Sequence, residues 1–230
     1  MTRPTRIALV ALAGAALLAP YRAARAQAGK PTVAIMYFDN NVFTKDARDY
    51  DGLSKGIPDF LVTEMAANPG IRVVERDRVQ HLIDEHKLIG DEHVDRATAV
   101  KVGKLLGAQH MIFGGFMADS KGNFRIDARA VNVETGAVEF TDRVQDHADN
   151  VLGIVGDLAR RLNAGLKLPA APARTGDVGS KLPMRAAVLY GKALDLVDRG
   201  DTERAVELFG AVLKEFPDYA PAKIQLAKVK

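Results

Sequence analysis

The chain has 230 residues, enough for one mid-sized domain plus a small appendage. It contains no Cys, which excludes disulfides, thiolate metal sites, a thiol nucleophile and acylation of a processed N-terminus. The first 26 residues hold four Arg and no acid, so removing them from the 32 basic residues leaves 28 against 29 acidic ones. The remainder is near neutral, and no basic stripe for nucleic acid is expected.

Those first residues read as an export signal. Arg3 and Arg6 form a positive start, Ile7 to Ala19 is uninterruptedly apolar, and Ala24-Arg25-Ala26 has small residues where a signal peptidase cuts. Thirteen apolar residues are too few for a permanent membrane span. The chain is therefore expected to be cleaved near Ala26 and to be periplasmic, without a lipid anchor or a transmembrane helix.

The run "PTVAIMYF" from Pro31 has no polar alternation, as in a strand covered on both faces. A polar loop, "DNNVFTKDARDYDG", follows. Leu53, Ile57, Phe60, Leu61 and Met65 then recur at helical spacing, with Pro58 expected in the first turn and Asn68-Pro69-Gly70 as the stop. Ile71 to Val74 is a second strand. The next helix runs through "RDRVQHLIDEHK" with Asp77 as its N-cap and Val79, Leu82, Ile83 and His86 on the buried face. A third helix starts at Asp95, buries Val102, Leu105 and Leu106, and ends at Gly107. Two hairpins join Gln109 to Met117, Phe124 to Val133 and Val138 to Val144, with Gly136 at a left-handed turn position. Alternation along Phe124 to Ala130 changes phase at Val131, which predicts a bulge or cover on the second face. Asp149 caps a last helix burying Leu152, Val155, Leu158 and Leu162. The order predicts an α/β layer fold with a mixed sheet over residues 31–167.

Residues 168–183, rich in Pro, Gly and Ala, read as a linker. Beyond it, residues 184–230 read as an all-α tetratricopeptide-like helical hairpin. Ala193, Ala205, Phe209 and Pro217 occupy the small, small, aromatic and Pro positions of a 34-residue unit counted from Ala186. One unit and the start of another leave an apolar face short of cover, so the tail is expected to be loosely tethered. Tyr190, Leu194, Arg199 and Arg204 are its candidate partner-binding residues.

Chemistry is hard to place. His81 and His86 are five apart, on different faces of their helix, and cannot share a metal. The Asp-rich loop after the first strand lacks the alternate-residue spacing of a Ca²⁺ loop. "FGGFM" at Phe113 to Met117 has no Lys-Ser/Thr after it and suits close backbone approach in a sheet rather than phosphate binding. Ser54, Ser120 and Ser180 lie in no nucleophile elbow. No catalytic residue, cofactor site or metal site is expected.

The stretches "VVERDRVQHLIDEHKL", "AVKVGKLLGAQHMIFGGF" and "IDARAVNVETGAV" resemble the CsgG family of the curli-secretion apparatus. The matching residues are Val74-Glu75-Arg76; Leu82, Glu85 and Lys87-Leu88; Gly103, Leu105, Leu106, Gly107 and Ala108; and Val131, Val133, Glu134, Thr135 and Gly136. The resemblance, over roughly Pro31 to Leu168, implies a three-layer α/β domain at the outer membrane that assembles with itself or with other envelope proteins and has no enzymatic activity. Curli channel members are acylated and carry extra barrel strands. This chain offers neither a Cys nor room for such strands, so a soluble relative is expected. The expectation is a non-enzymatic periplasmic adaptor bound to envelope proteins. The alternatives are a ring-forming component of an outer-membrane secretion or polymer-export assembly, which would be a homo-oligomer, and an unrecognised hydrolase.

Overall fold

A computed structural model describes residues 29–87, 94–171 and 182–229. The expected export signal, Leu88 and most of the linker lie outside the described residues.

Five strands form one mixed sheet in the order β2-β1-β3-β4-β5. They are β1 (Thr32–Asn40), β2 (Arg72–Val73), β3 (His110–Ala118), β4 (Asn123–Asn132) and β5 (Val138–His147). The strands β2 and β3 flank β1 in parallel, while β4 and β5 follow as antiparallel hairpins. The helices are α1 (Leu53–Ala66), α2 (Arg76–His86), α3 (Arg96–Leu106), α4 (Val151–Gly165), α5 (Met184–Asp198), α6 (Thr202–Glu215) and α7 (Ala220–Val229). The mixed α/β architecture and the helical hairpin after it are as expected. The tetratricopeptide assignment itself stays a resemblance.

The apolar run of β1 is explained by its two covered faces. Val33, Ile35 and Phe38 enter a core with α1 and α4, whereas Ala34 and Met36 enter a second core with α2 and α3. On β4, Phe124, Ile126, Ala128 and Ala130 all face the first core. The register shifts between Ala130 and Val131, and Val131 enters the second core, as the phase change predicted. Gly136 is left-handed at φ 70°. Past Val131 and Val133 the second face of β4 and β5 is more open, with Arg125 and Asp127 half-buried and Arg129 exposed.

Several details differ from the sequence reading. The helix α1 begins at Leu53, because bonds from Ser54, Lys55 and Gly56 to Asp51 and Gly52 start the turn early. Pro58 is therefore inside the helix and leaves the Ser54 carbonyl without its helical donor. Asp77 lies in the first turn of α2, whose N-cap is Glu75. His86 is exposed, and Leu82 is only partly buried. Leu105 is 48% exposed, since Ala99, Val102, Gly103 and Leu106 already fill the inward face of α3. Asp149 sits in a 3-10 turn over Ala148–Asn150, and Leu152 is only partly buried. Asp95 does cap α3, accepting from the Thr98 N–H at 2.7 Å.

The largest difference concerns the tail. Ala186, Ala187, Tyr190, Ala193, Leu194 and Phe209 belong to the same continuous core as α1 and α4. A Cβ on Gly191 would collide with the Gly52 backbone, so α5 crosses the start of α1 at backbone contact. Glycine at both positions permits that approach. Linker ends pack as well: Leu182 is buried, and Asn68 donates to the Pro169 carbonyl at 2.8 Å. The tail is docked, not loosely tethered.

Candidate functional site

The four tail residues separate into two classes. Tyr190 and Leu194 are fully buried against the α/β layers and are unavailable to a partner, which corrects the expectation for both. The apolar face expected to be short of cover is the docking face of α5. Arg199 and Arg204 are exposed on the α5–α6 turn, paired locally with Asp195 at 2.8 Å and Asp201 at 3.4 Å.

Under α5 lies a polar cluster at the carboxyl ends of β1 and β2. Arg76 is placed there because α2 starts directly after β2; it is 2% exposed. Its Nη1 and Nη2 donate to Asp198 Oδ2 and Oδ1 at 2.8 and 2.9 Å, a bidentate pair, and Nη2 also reaches Asp77 at 2.8 Å. Lys55, from the first turn of α1, adds an ion pair to Asp198 at 3.3 Å, donates to Gln80 at 2.6 Å, and lies 3.5 Å over the Tyr37 ring. Tyr190 donates to Asp59 at 2.6 Å and stacks on Phe60 with centroids 5.5 Å apart. Lys228 of α7 closes the set on Asp77 at 3.2 Å.

Burial pushes the Asp59 carboxyl above its ordinary range, against the opposing pull of the Tyr190 hydrogen bond and the Arg76 charge. Burial lowers Lys55, with Asp198 opposing. For Arg76, burial would lower the guanidinium, but the bonds and charge of Asp198 outweigh it and the group stays firmly cationic. Burial raises Tyr37 and Tyr190 far out of the physiological range. Arg76 Nε and Tyr37 Oη are buried without a hydrogen-bond partner among the described residues. Such a cluster resembles a catalytic centre by its shifts. Yet α5 seals it, and the shifts arise from a packed interface.

An open feature lies farther along the sheet, on the face that α2 and α3 cover only in part. A cavity of about 440 Å³ opens at the carboxyl ends of β1 and β3, between the loop after β1 and the β3–β4 turn. A second, of about 410 Å³, continues over the more open face of β4 and β5, and the two share Asn41 and Arg125. Adjacent strands whose connections leave in opposite directions form the usual ligand crevice of open α/β sheets. The sequence reading missed this groove, whose one local signal is Phe43, a lone aromatic ring in a polar loop. It also gave no role to Arg76, although Arg76 stood among the family-like residues. Among the described residues there is no cluster of three His, Cys, Asp or Glu able to hold a metal, and no helix long and apolar enough to cross a membrane.

The family model for the curli production assembly/transport component CsgG matches residues 16–122. The resemblance carried by α2, α3 and β3 is thus shown over a stretch slightly under half of the chain; the Val131 to Gly136 hairpin lies beyond it. No curated protein matches the chain. Among solved structures, the chain is similar to the LpoB C-terminal domain from Salmonella enterica at 11% identity, covering 51% of this chain and 83% of that one, with a TM-score of 0.38. Lipoprotein GNA1162 from Neisseria meningitidis aligns at 12% identity over 58% and 96%, TM-score 0.40. A PelC dodecamer from Paraburkholderia phytofirmans aligns at 13% over 60% and 89%, TM-score 0.39.

Proposed function

We propose that this chain is a non-enzymatic, envelope-associated assembly protein, exported to the periplasm, that binds protein partners. At the coarse level the support is the match to a family described as an assembly and transport component, together with the export-signal pattern of residues 1–26. The observation that carries the non-enzymatic reading is the sealed cluster. Arg76 and Tyr190, both strongly shifted by burial and their partners, are committed through Asp198 and Asp59 to holding α5 on α1 and α2, where they brace two layers instead of facing a substrate. That lock makes α5–α7 a fixed extension of the α/β layers. The exposed Arg199 and Arg204 then sit on a rigid turn, a suitable contact for an acidic partner surface.

Light scattering after size-exclusion chromatography tests the assembly state. A monomer or dimer supports the adaptor reading; a large ring would replace it by a secretion or export component. Capture from envelope extract should be lost with Arg199→Glu plus Arg204→Glu while the melting temperature is unchanged. Capture that ignores both substitutions, or hydrolysis of a general ester or peptide substrate panel, would overturn the proposal.

A further inference from the structure

The groove over β3, β4 and β5 is built from three successive cross-strand rows. Met117, Arg125 and Gln145 form the first, Gly115, Asp127 and Arg143 the second, and Phe113, Arg129 and Thr141 the third. Rows two residues apart along a strand put the first and third about 13 Å from one another. The glycine in the middle row makes the hollow: a Cβ on Gly115 would collide with the amide of Asn41, which lies over it. At the upper end Phe43 is 89% exposed.

The charged groups at that end are already engaged. Arg125 is bonded to Asp127 at 2.8 Å, and Asp119 accepts from the Lys121 and Asn123 backbones and from the Asn123 amide. By contrast, the side chains of Asn41, Thr44, Ser120 and Gln145 make no hydrogen bond or ion pair among the described residues. Neutral donors and acceptors therefore converge on the groove beside one exposed aromatic ring.

We propose that this groove binds an uncharged oligosaccharide, with the Phe43 ring against a sugar face and the Asn41, Thr44, Ser120 and Gln145 side chains on its hydroxyl or acetamido groups. Amides and hydroxyls both donate and accept, which matches sugar hydroxyls without desolvating a charge. An extended peptide gains affinity by pairing with a sheet edge. Here the groove lies across a sheet face centred on β3 and β4, which are paired on both sides, and not along the free edge of β5. A polyanion would meet Asp39, Asp119 and Asp127 beside the arginines. The choice of a cell-wall type glycan among saccharides rests on the envelope reading above; the geometry of the groove does not.

The test is an amide-resolved NMR titration of the full chain with tetra-N-acetylchitotetraose. Saturable shifts should map to residues 41–45, 117–125 and 145. Phe43→Ala and Gln145→Ala should each weaken binding by about three- to tenfold, the size of one lost contact, with an unchanged melting temperature. No saturable shift, shifts on another face, or affinity indifferent to both substitutions would overturn the proposal. So would an acidic hexapeptide binding these residues more tightly than the saccharide. Loss of protein capture through Arg199 and Arg204 leaves this result untouched, so the two readings fail separately.

Discussion

Asp198 satisfies two buried cations at once, and among the described residues neither Arg76 nor Lys55 has another buried carboxylate within 3.5 Å. Removing one member of a buried ion pair leaves the other desolvated and unpaired. Asp198→Ala is therefore expected to lower unfolding stability by about 3–5 kcal/mol in urea titration. Asp77→Ala, at a half-exposed carboxylate, should stay within about 1 kcal/mol. Equal losses at the two positions would contradict the lock. Asp59 gives a test with a sign. Its folded pKa lies above the ordinary 3.8, so the folded state holds the proton longer than the unfolded chain. The stability tied to that proton is fully present below the unfolded pKa and is lost as pH rises through the folded one. Asp59→Asn, which still offers Tyr190 an acceptor, should flatten the fall in stability from about pH 4 upward. The readout is the wild-type minus variant difference, because Asp95, Asp119 and Asp146 are shifted downward and contribute the opposite slope in both proteins.

At the scale of single elements, local chemistry made much of the fold legible. The hairpin turns at Gly122 and Gly136, the Asp95 cap, the Gly107 stop and the double cover of β1 all follow from short-range pattern. What misled was phase on a helix. Leu105 and Leu106 are neighbours about 100° apart, and periodicity admits either on the inward face. Packing against Met111 and Val133, beside the closely approached Gly103, selects the side occupied by Leu106. Leu106→Ala should then cost about 2–4 kcal/mol through lost burial and cavity formation, while Leu105→Ala should stay within about 1 kcal/mol. Chemical denaturation of the two variants side by side checks it, and the reverse order would mean that α3 is rotated from the position described. The groove was illegible for a different reason. Asn41 and Gln145 are brought together only by strand register, which no local signal encodes.

For the molecule as a whole, the decisive contacts join residues more than a hundred positions apart. Nothing in the sequence marks Arg76 and Asp198 as a buried pair, and the Pro- and Gly-bearing stretch between the two parts reads as a spacer. No local signal reports that Gly52 and Gly191 allow two helix backbones to touch, or that Tyr190 fills a space against Phe60, Phe209 and Tyr219. Because one core runs from the sheet through α1 into α5 and α6, the two parts should unfold together. Full-length protein is expected to give a single melting transition by circular dichroism. A chain ending at Leu168 loses the cover over Gly56 and Phe60 and the counter-ion of Arg76 and Lys55. With about 1.5–3 kcal/mol for each large apolar side chain left uncovered, the loss should be at least about 5 kcal/mol. At about 2–4 °C per kcal/mol for a domain of this size, the melting temperature should fall by 10–20 °C. Residues 184–230 alone should melt weakly and without cooperativity, since Tyr190 and Leu194 would have no partner surface. An unchanged melting temperature after truncation, or two separate transitions in the full chain, would show that the helical part rests on the α/β layers without being held by them.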